Sequence, residues 1–136
     1  MDRVVEIARS WVGTRFHHQG RVKGQGVDCI GLIAGVAQEL GIEFEDKQNY
    51  AREPQNGELQ KELEKYLRPC ELQNGCVALF KIDKEPQHVG IVGEWRLENG
   101  ESKYTLIHAY AQARKVVEHG FDELWRKRLV ATYQFR

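Results

Sequence analysis

The chain has 136 residues, 41% hydrophobic and 29% charged, with 20 Lys plus Arg against 20 Asp plus Glu. That length fits one domain, residues 1–136, and the apolar fraction excludes wholesale disorder. A formal net charge of zero gives no global pull toward nucleic acid or an anionic membrane, so neither is expected as a partner.

The longest apolar run, from Ile30 to Ala37, is broken by glycines and too short to cross a bilayer, so no membrane insertion is expected. The start, Met1 to Glu6, lacks the basic and apolar blocks of a secretion signal. It predicts synthesis in the cytosol, with any work outside depending on another route. Cys70 and Cys76 could close a small loop, but a reducing cytosol favours free thiols. No Cys-x-x-Cys or His-x-x-x-His spacing occurs, so neither a metal nor another cofactor is expected.

In chain order, Val4, Val5, Ile7, Ala8, Trp11 and Val12 recur at helical spacing, with Gly13 as the stop. Residues 14–27 are polar, basic and glycine-bearing, and read as an ordered loop. Asp28 is a candidate N-cap for a second helix that runs to Leu40. Gly31, Ala34, Gly35 and Ala37 suit a central buried helix that other backbone approaches closely. Leu59, Leu63 and Leu67 predict a third helix, closed by Pro69.

Strands follow. Cys76 to Ile82 is a mainly apolar run. From His88 to Leu97, Val89, Ile91, Trp95 and Leu97 fall on one face and His88, Gly90 and Val92 on the other. Asn99-Gly100 predicts a hairpin into a partner strand, Tyr104 to Tyr110, with Leu106, His108 and Tyr110 on one face. Val116-Val117 suggests another short strand. Phe121, Leu124, Trp125 and Leu129 predict a helical face, and Val130 to Phe135 a closing strand. Helices first and antiparallel strands after define an α+β class. Trp11, Trp95 and Trp125 all fit apolar faces and are expected in the core.

Cys29 stands where a helix begins, and unpaired N–H groups there lower a thiol pKa and favour the reactive thiolate. An activated Cys29 is therefore expected to alkylate well below pH 8. Core packing competes with that reading, because Cys29, Leu32, Ile33 and Val36 share one helical face. His88 and His108 lie on paired strands, close enough for one imidazole to orient the other, which supplies a base for the cysteine. The competing reading is two half-buried histidines satisfied by backbone. His17, His18 and His119 read as surface or loop histidines, and Cys70 and Cys76 as structural.

Three segments, Asp28-Cys29-Ile30-Gly31-Leu32-Ile33, His88-Val89-Gly90-Ile91-Val92 and Ile107-His108-Ala109, together resemble the NlpC/P60 cysteine peptidases. These are papain-like enzymes that cut stem peptides of bacterial cell walls. The nearest likeness is to their phage and gene-transfer-agent branch. It extends to Ala8–Thr14, to His18-Gln19-Gly20-Arg21 and to the ending from Trp125 to Arg136.

The resemblance implies a papain-like NlpC/P60 fold, with N-terminal helices packed on a central antiparallel β-sheet. It implies Cys29 as nucleophile, His88 as general base and later acid, and His108 as the residue orienting His88. The Cys29 backbone N–H would serve an oxyanion hole. Asp28 matches the acid that helps recognise a stem-peptide amino group, and Phe16 and His17 are further candidate substrate contacts. The implied partners are the peptidoglycan stem peptide and phage tail proteins. Arg15-Phe16 stands where the family usually has Pro-Tyr, and Ile30 where it commonly has Ser. Two other readings use the same residues: a thiol acyltransferase or amidase, and a non-catalytic component of a phage tail.

Overall fold

The computed structural model describes residues 2–44, 57–83 and 86–136. Helix α1 (Asp2–Arg9) leads through a short hairpin, β1 (Arg21–Val22) and β2 (Gly26–Val27), into helix α2 (Cys29–Glu39). Helix α3 (Glu58–Tyr66) and strands β3 (Leu67–Pro69), β4 (Val77–Lys81), β5 (Pro86–Arg96) and β6 (Ser102–Tyr110) follow. A 3₁₀ turn (Ala111–Ala113), β7 (Lys115–Gly120), α4 (Glu123–Arg128) and β8 (Leu129–Phe135) complete the order. Six strands form one sheet in the order β3-β8-β4-β5-β6-β7, every neighbouring pair antiparallel. The expected α+β architecture, helices on a central antiparallel sheet, is the one observed.

The sheet separates two apolar layers. On one face Val77, Leu79, Val89, Ile91, Ile107 and Ala109 pack with Val4, Val5 and Ala8 of α1, Leu32, Ile33 and Val36 of α2, and Leu59 and Leu63 of α3. On the other face a smaller layer gathers Ala78, Phe80, Val92, Leu106, Phe121 and Trp125. This division follows from the two-residue period of the strands, which sends alternate side chains to opposite faces.

Helix α2 is central because its small residues admit neighbours. A methyl on Gly35 would collide with the indole of Trp11, and one on Gly31 with the carbonyl of Gly20. The Trp11 indole therefore lies against α2 at Gly35, its Nε1–H donating to Glu39 Oε2 at 2.8 Å. The loop before α2 presses on the first turn of that helix in the same way.

Several boundaries differ from the sequence expectation. Helix α1 ends at Arg9, and tight turns carry the chain to Gly13, whose φ of +95° reverses it. The loop 14–27 contains the β1–β2 hairpin. Leu67, expected in α3, begins β3, and Pro69, expected to close the helix, ends that strand; an edge strand accommodates Pro because no ladder donor is needed on its open side. Val12, Trp95 and Leu124, expected on apolar faces, are largely exposed: the α1 pattern runs past its helix, Trp95 lies near the end of a strand that outruns the core, and α4 is too short to bury more than one side. Val116-Val117 proves part of a six-residue strand, and β8 lies inside the sheet between β3 and β4. No helix among the described residues is long and apolar enough to cross a membrane.

Candidate active site

The first turn of α2 is fixed by Asp28. This residue is in extended backbone conformation (φ −105°, ψ −175°), and its Oδ1 accepts from the Gly31 N–H at 2.8 Å, an N-cap as expected. Oδ1 also meets Arg21 Nη1 at 3.0 Å, while Oδ2 accepts from the Gln19 N–H at 2.8 Å. The buried carboxylate thus ties the 14–27 loop to the helix start. These contacts define a structural task for Asp28, namely to set the direction in which α2 leaves the loop.

Cys29 follows at once, partly exposed, on the first position of α2. Two backbone N–H groups are directed at its sulfur, that of Ile30 and that of Val89. Val89 lies where β5 and β6 part: their register pairs run from Arg96↔Ser102 to Ile91↔Ile107 and stop, although both strands continue. The nucleophile candidate therefore meets β5 at the residue after His88.

Burial and, second to it, the negative charge of Asp28 push the Cys29 thiol up to about 12. The Val89 and Ile30 N–H groups and Arg21 act in the opposite direction but are outweighed. This corrects the expectation of a lowered thiol pKa: the helix terminus contributes, and desolvation of a charged sulfur costs more. The resting residue is a thiol.

His88 and His108 are both buried, on the sheet face that carries Trp125. Their rings meet edge to face, His88 Nε2 lying 2.7 Å from His108 Nδ1. Gly90 makes the approach possible, since a Cβ there would stand 2.9 Å from the Cβ of His108 and 2.7 Å from Leu106 Cδ1. Burial drives both imidazoles well below their ordinary value of 6.5. The Arg128 charge adds to this at His88, and the other two rings of the row add to it at His108. Both are neutral at physiological pH.

The row does not end there. His108 Nε2 lies 2.8 Å from His119 Nε2, and His119 Nδ1 lies 2.8 Å from the Gly120 carbonyl oxygen. His119, expected on the surface or in a loop, is instead on β7 directly across from Leu106, so it shares the face of His108. The available signal was the two-residue alternation continuing from Val117 to His119. Trp125 covers the row, its ring centroid 5.6, 4.9 and 6.1 Å from those of His88, His108 and His119. Among the described residues no group of three or more His, Cys, Asp or Glu is disposed to hold a metal ion.

Phe16 and His17 stand on the segment that leads toward α2. Phe16 bridges Val27, and its N–H donates to the Arg114 carbonyl at 2.8 Å, so it is partly buried against the larger core layer. It also lines a groove of about 660 Å³ with Gly13, Arg15, Arg114 and Lys115. His17 is exposed, with its Nδ1 3.0 Å from the His18 carbonyl oxygen. Cys70 and Cys76 are free thiols beside the smaller apolar layer, and burial raises the Cys76 thiol to about 12.

With this geometry the family can be stated: the chain belongs to the NlpC/P60 family, whose model matches residues 13–134. It is 24% identical over 128 residues to the murein DD-endopeptidase MepS/murein LD-carboxypeptidase of Escherichia coli K12, a match that covers 93% of this chain. Proteins of the same description from E. coli O6:H1 and O157:H7 match equally. The aligned part is 58% of those relatives' length, so the chain spans little more than half of them. Among solved structures, an NLP/P60-family lipoprotein-like protein from Staphylococcus aureus superposes with a TM-score of 0.67. That likeness covers 98% of this chain and 40% of the other, at 17% identity.

Proposed function

We propose that this chain is a cysteine peptidase that hydrolyses peptide bonds in the stem peptides of bacterial peptidoglycan. The observation that carries the reading is the buried His88–His108 pair at 2.7 Å, with His88 on β5 immediately before Val89, whose N–H is directed at the Cys29 sulfur. Family membership and the murein endopeptidase description of the E. coli relative support the substrate class.

The chemistry follows from neutral resting groups. His88 takes the proton of Cys29 as the sulfur attacks the peptide carbonyl, so base catalysis and nucleophilic attack are coupled. The developing oxyanion is received by the Cys29 backbone N–H at the α2 start. His88, now protonated, gives its proton to the departing amine as the C–N bond breaks, leaving a thioester. Water, deprotonated by His88, attacks the thioester, and the proton returns to sulfur as acid product leaves. His108 orients His88 throughout. Asp28 holds the helix start, and Phe16 and His17 are assigned to contacts with the substrate. The groove beside Phe16 carries Arg15, Arg114 and Lys115, a positive lining suited to the carboxylates of a stem peptide.

The expected test is incubation of the protein with sacculi and mass analysis of released fragments. Wild type should release stem-peptide fragments, and Cys29→Ala should release none while keeping its circular dichroism. Equal release by both would overturn the reading and favour a structural role. Transfer of the acyl group to an added amine in preference to water would favour an acyltransferase. Association with a phage or prophage tail, implied by the branch resembled, belongs to the same proposal; co-purification with assembled tails is its test.

A further inference from the structure

We propose that His119 is a positioning residue for this reaction: anchored on the Gly120 carbonyl, it fixes through His108 the tautomer that leaves Nδ1 of His88 free to accept a proton. The proposal rests on the peptidase reading for its catalytic consequence, and on hydrogen-bond geometry alone for its structural one.

A carbonyl oxygen only accepts, so His119 Nδ1, 2.8 Å from the Gly120 oxygen, must carry the hydrogen. A neutral imidazole has one N–H, so His119 Nε2 then holds a lone pair. His108 Nε2, at 2.8 Å, must donate to it. His108 Nδ1 therefore holds a lone pair, and His88 Nε2, at 2.7 Å, must donate in turn. Of the three lone pairs in the row, only that on Nδ1 of His88 receives no hydrogen from another ring, as a general base requires. The opposite assignment would set two lone pairs against each other at the Gly120 carbonyl, which nothing in the row compensates.

The groups facing the row are few: Arg128, whose charge acts on His88; Tyr110, stacked on His108 with its hydroxyl donating to Gln112; and Trp125 above all three rings. Glu118, on the opposite face of β7, is engaged by Arg9 and Thr105. No carboxylate therefore stands in for the third histidine on this face among the described residues, and the backbone carbonyl is what sets the direction.

Nitrogen NMR of the whole, ¹⁵N-labelled protein near neutral pH tests this without any substrate. Long-range proton couplings distinguish the tautomers. The expected result is Nε2–H at His88 and His108 and Nδ1–H at His119. An Nε2–H tautomer at His119, or an Nδ1–H tautomer at His88, would overturn the proposal whatever the activity. Kinetics supply the second arm. His119→Phe removes the acceptor for His108 and should lower kcat about 10-fold or more with KM nearly unchanged, in line with partners that orient a working imidazole. His119→Gln keeps a carbonyl acceptor and should restore most of that rate. Equal loss in both variants, or loss confined to KM, would contradict a positioning role. If the wild type cleaves nothing, the peptidase reading fails while the tautomer measurement still decides this one.

Discussion

The first turn of α2 and the histidine row differ in how far apart along the chain their parts lie. Asp28 gathers Gln19, Arg21 and Gly31 from its own neighbourhood, and the result is a capped helix that presents Cys29. His88 and His108 are 20 residues apart, and His108 and His119 are 11 apart. Only the β5–β6 and β6–β7 registers bring them together. A local cap weakens gradually when altered. A strand slipped by one residue would send His108 to the opposite face and dissolve the row at once.

Substitutions can break this comparison or sharpen it. The largest effect expected is on catalysis: His88→Ala should cost about 10²–10⁴ in kcat, the usual contribution of a positioned base. Steady-state cleavage of a stem-peptide substrate measures it, and Asp28, Gly31 and the α2 cap should be unaffected. Next comes Gly35→Ala, which drives a methyl into the Trp11 indole and should destabilise the fold by about 1–3 kcal/mol in urea unfolding. A change below about 0.5 kcal/mol, the range of ordinary surface substitutions, would mean that Trp11 does not seal α2. Asp28→Ala removes the cap and should cost about 0.5–2 kcal/mol, leaving the histidine tautomers as they were. A shift in those tautomers would show that the two regions are coupled.

Proton binding is the gentlest probe, because it is slight near neutral pH. The buried imidazoles have folded values below their unfolded 6.5, so below that pH the unfolded chain binds protons that the native one refuses. Stability contributed by keeping them neutral is therefore lost progressively as pH falls from about 6.5, the ordinary imidazole value. Cys29 behaves in mirror image. Its folded value is raised from 9.0 to about 12, so stability falls as pH rises through that window, where the unfolded thiol ionises first. Melting temperature against pH should show both limbs, and Cys29→Ala should remove its share of the alkaline one. Iodoacetamide labelling of Cys29 should likewise accelerate only on the alkaline side, contrary to what a helix terminus alone would produce.

What could be read in the sequence follows the same division. The Asp28-Cys29 start of α2 was legible because capping is a local pattern, and Gly31 and Gly35 announced close approach by being poor helix formers. His88 and His108 were legible because the Asn99-Gly100 turn sets the hairpin and period-two alternation sets the faces. His119 was missed, since Val116-Val117 gave too short a strand to carry its register two residues further. The raised thiol was missed for a different reason. Helix termini are visible in a sequence, whereas the burial that outweighs one is a property of the assembled core.

Trapping the intermediate tests the central claim most directly. A reaction with stem-peptide substrate, quenched in acid and mapped by mass spectrometry, should show an acyl group on the sulfur of Cys29 that hydroxylamine removes. Cleavage proceeding in full with Cys29 unmodified, or an adduct confined to Cys70 or Cys76, would contradict it.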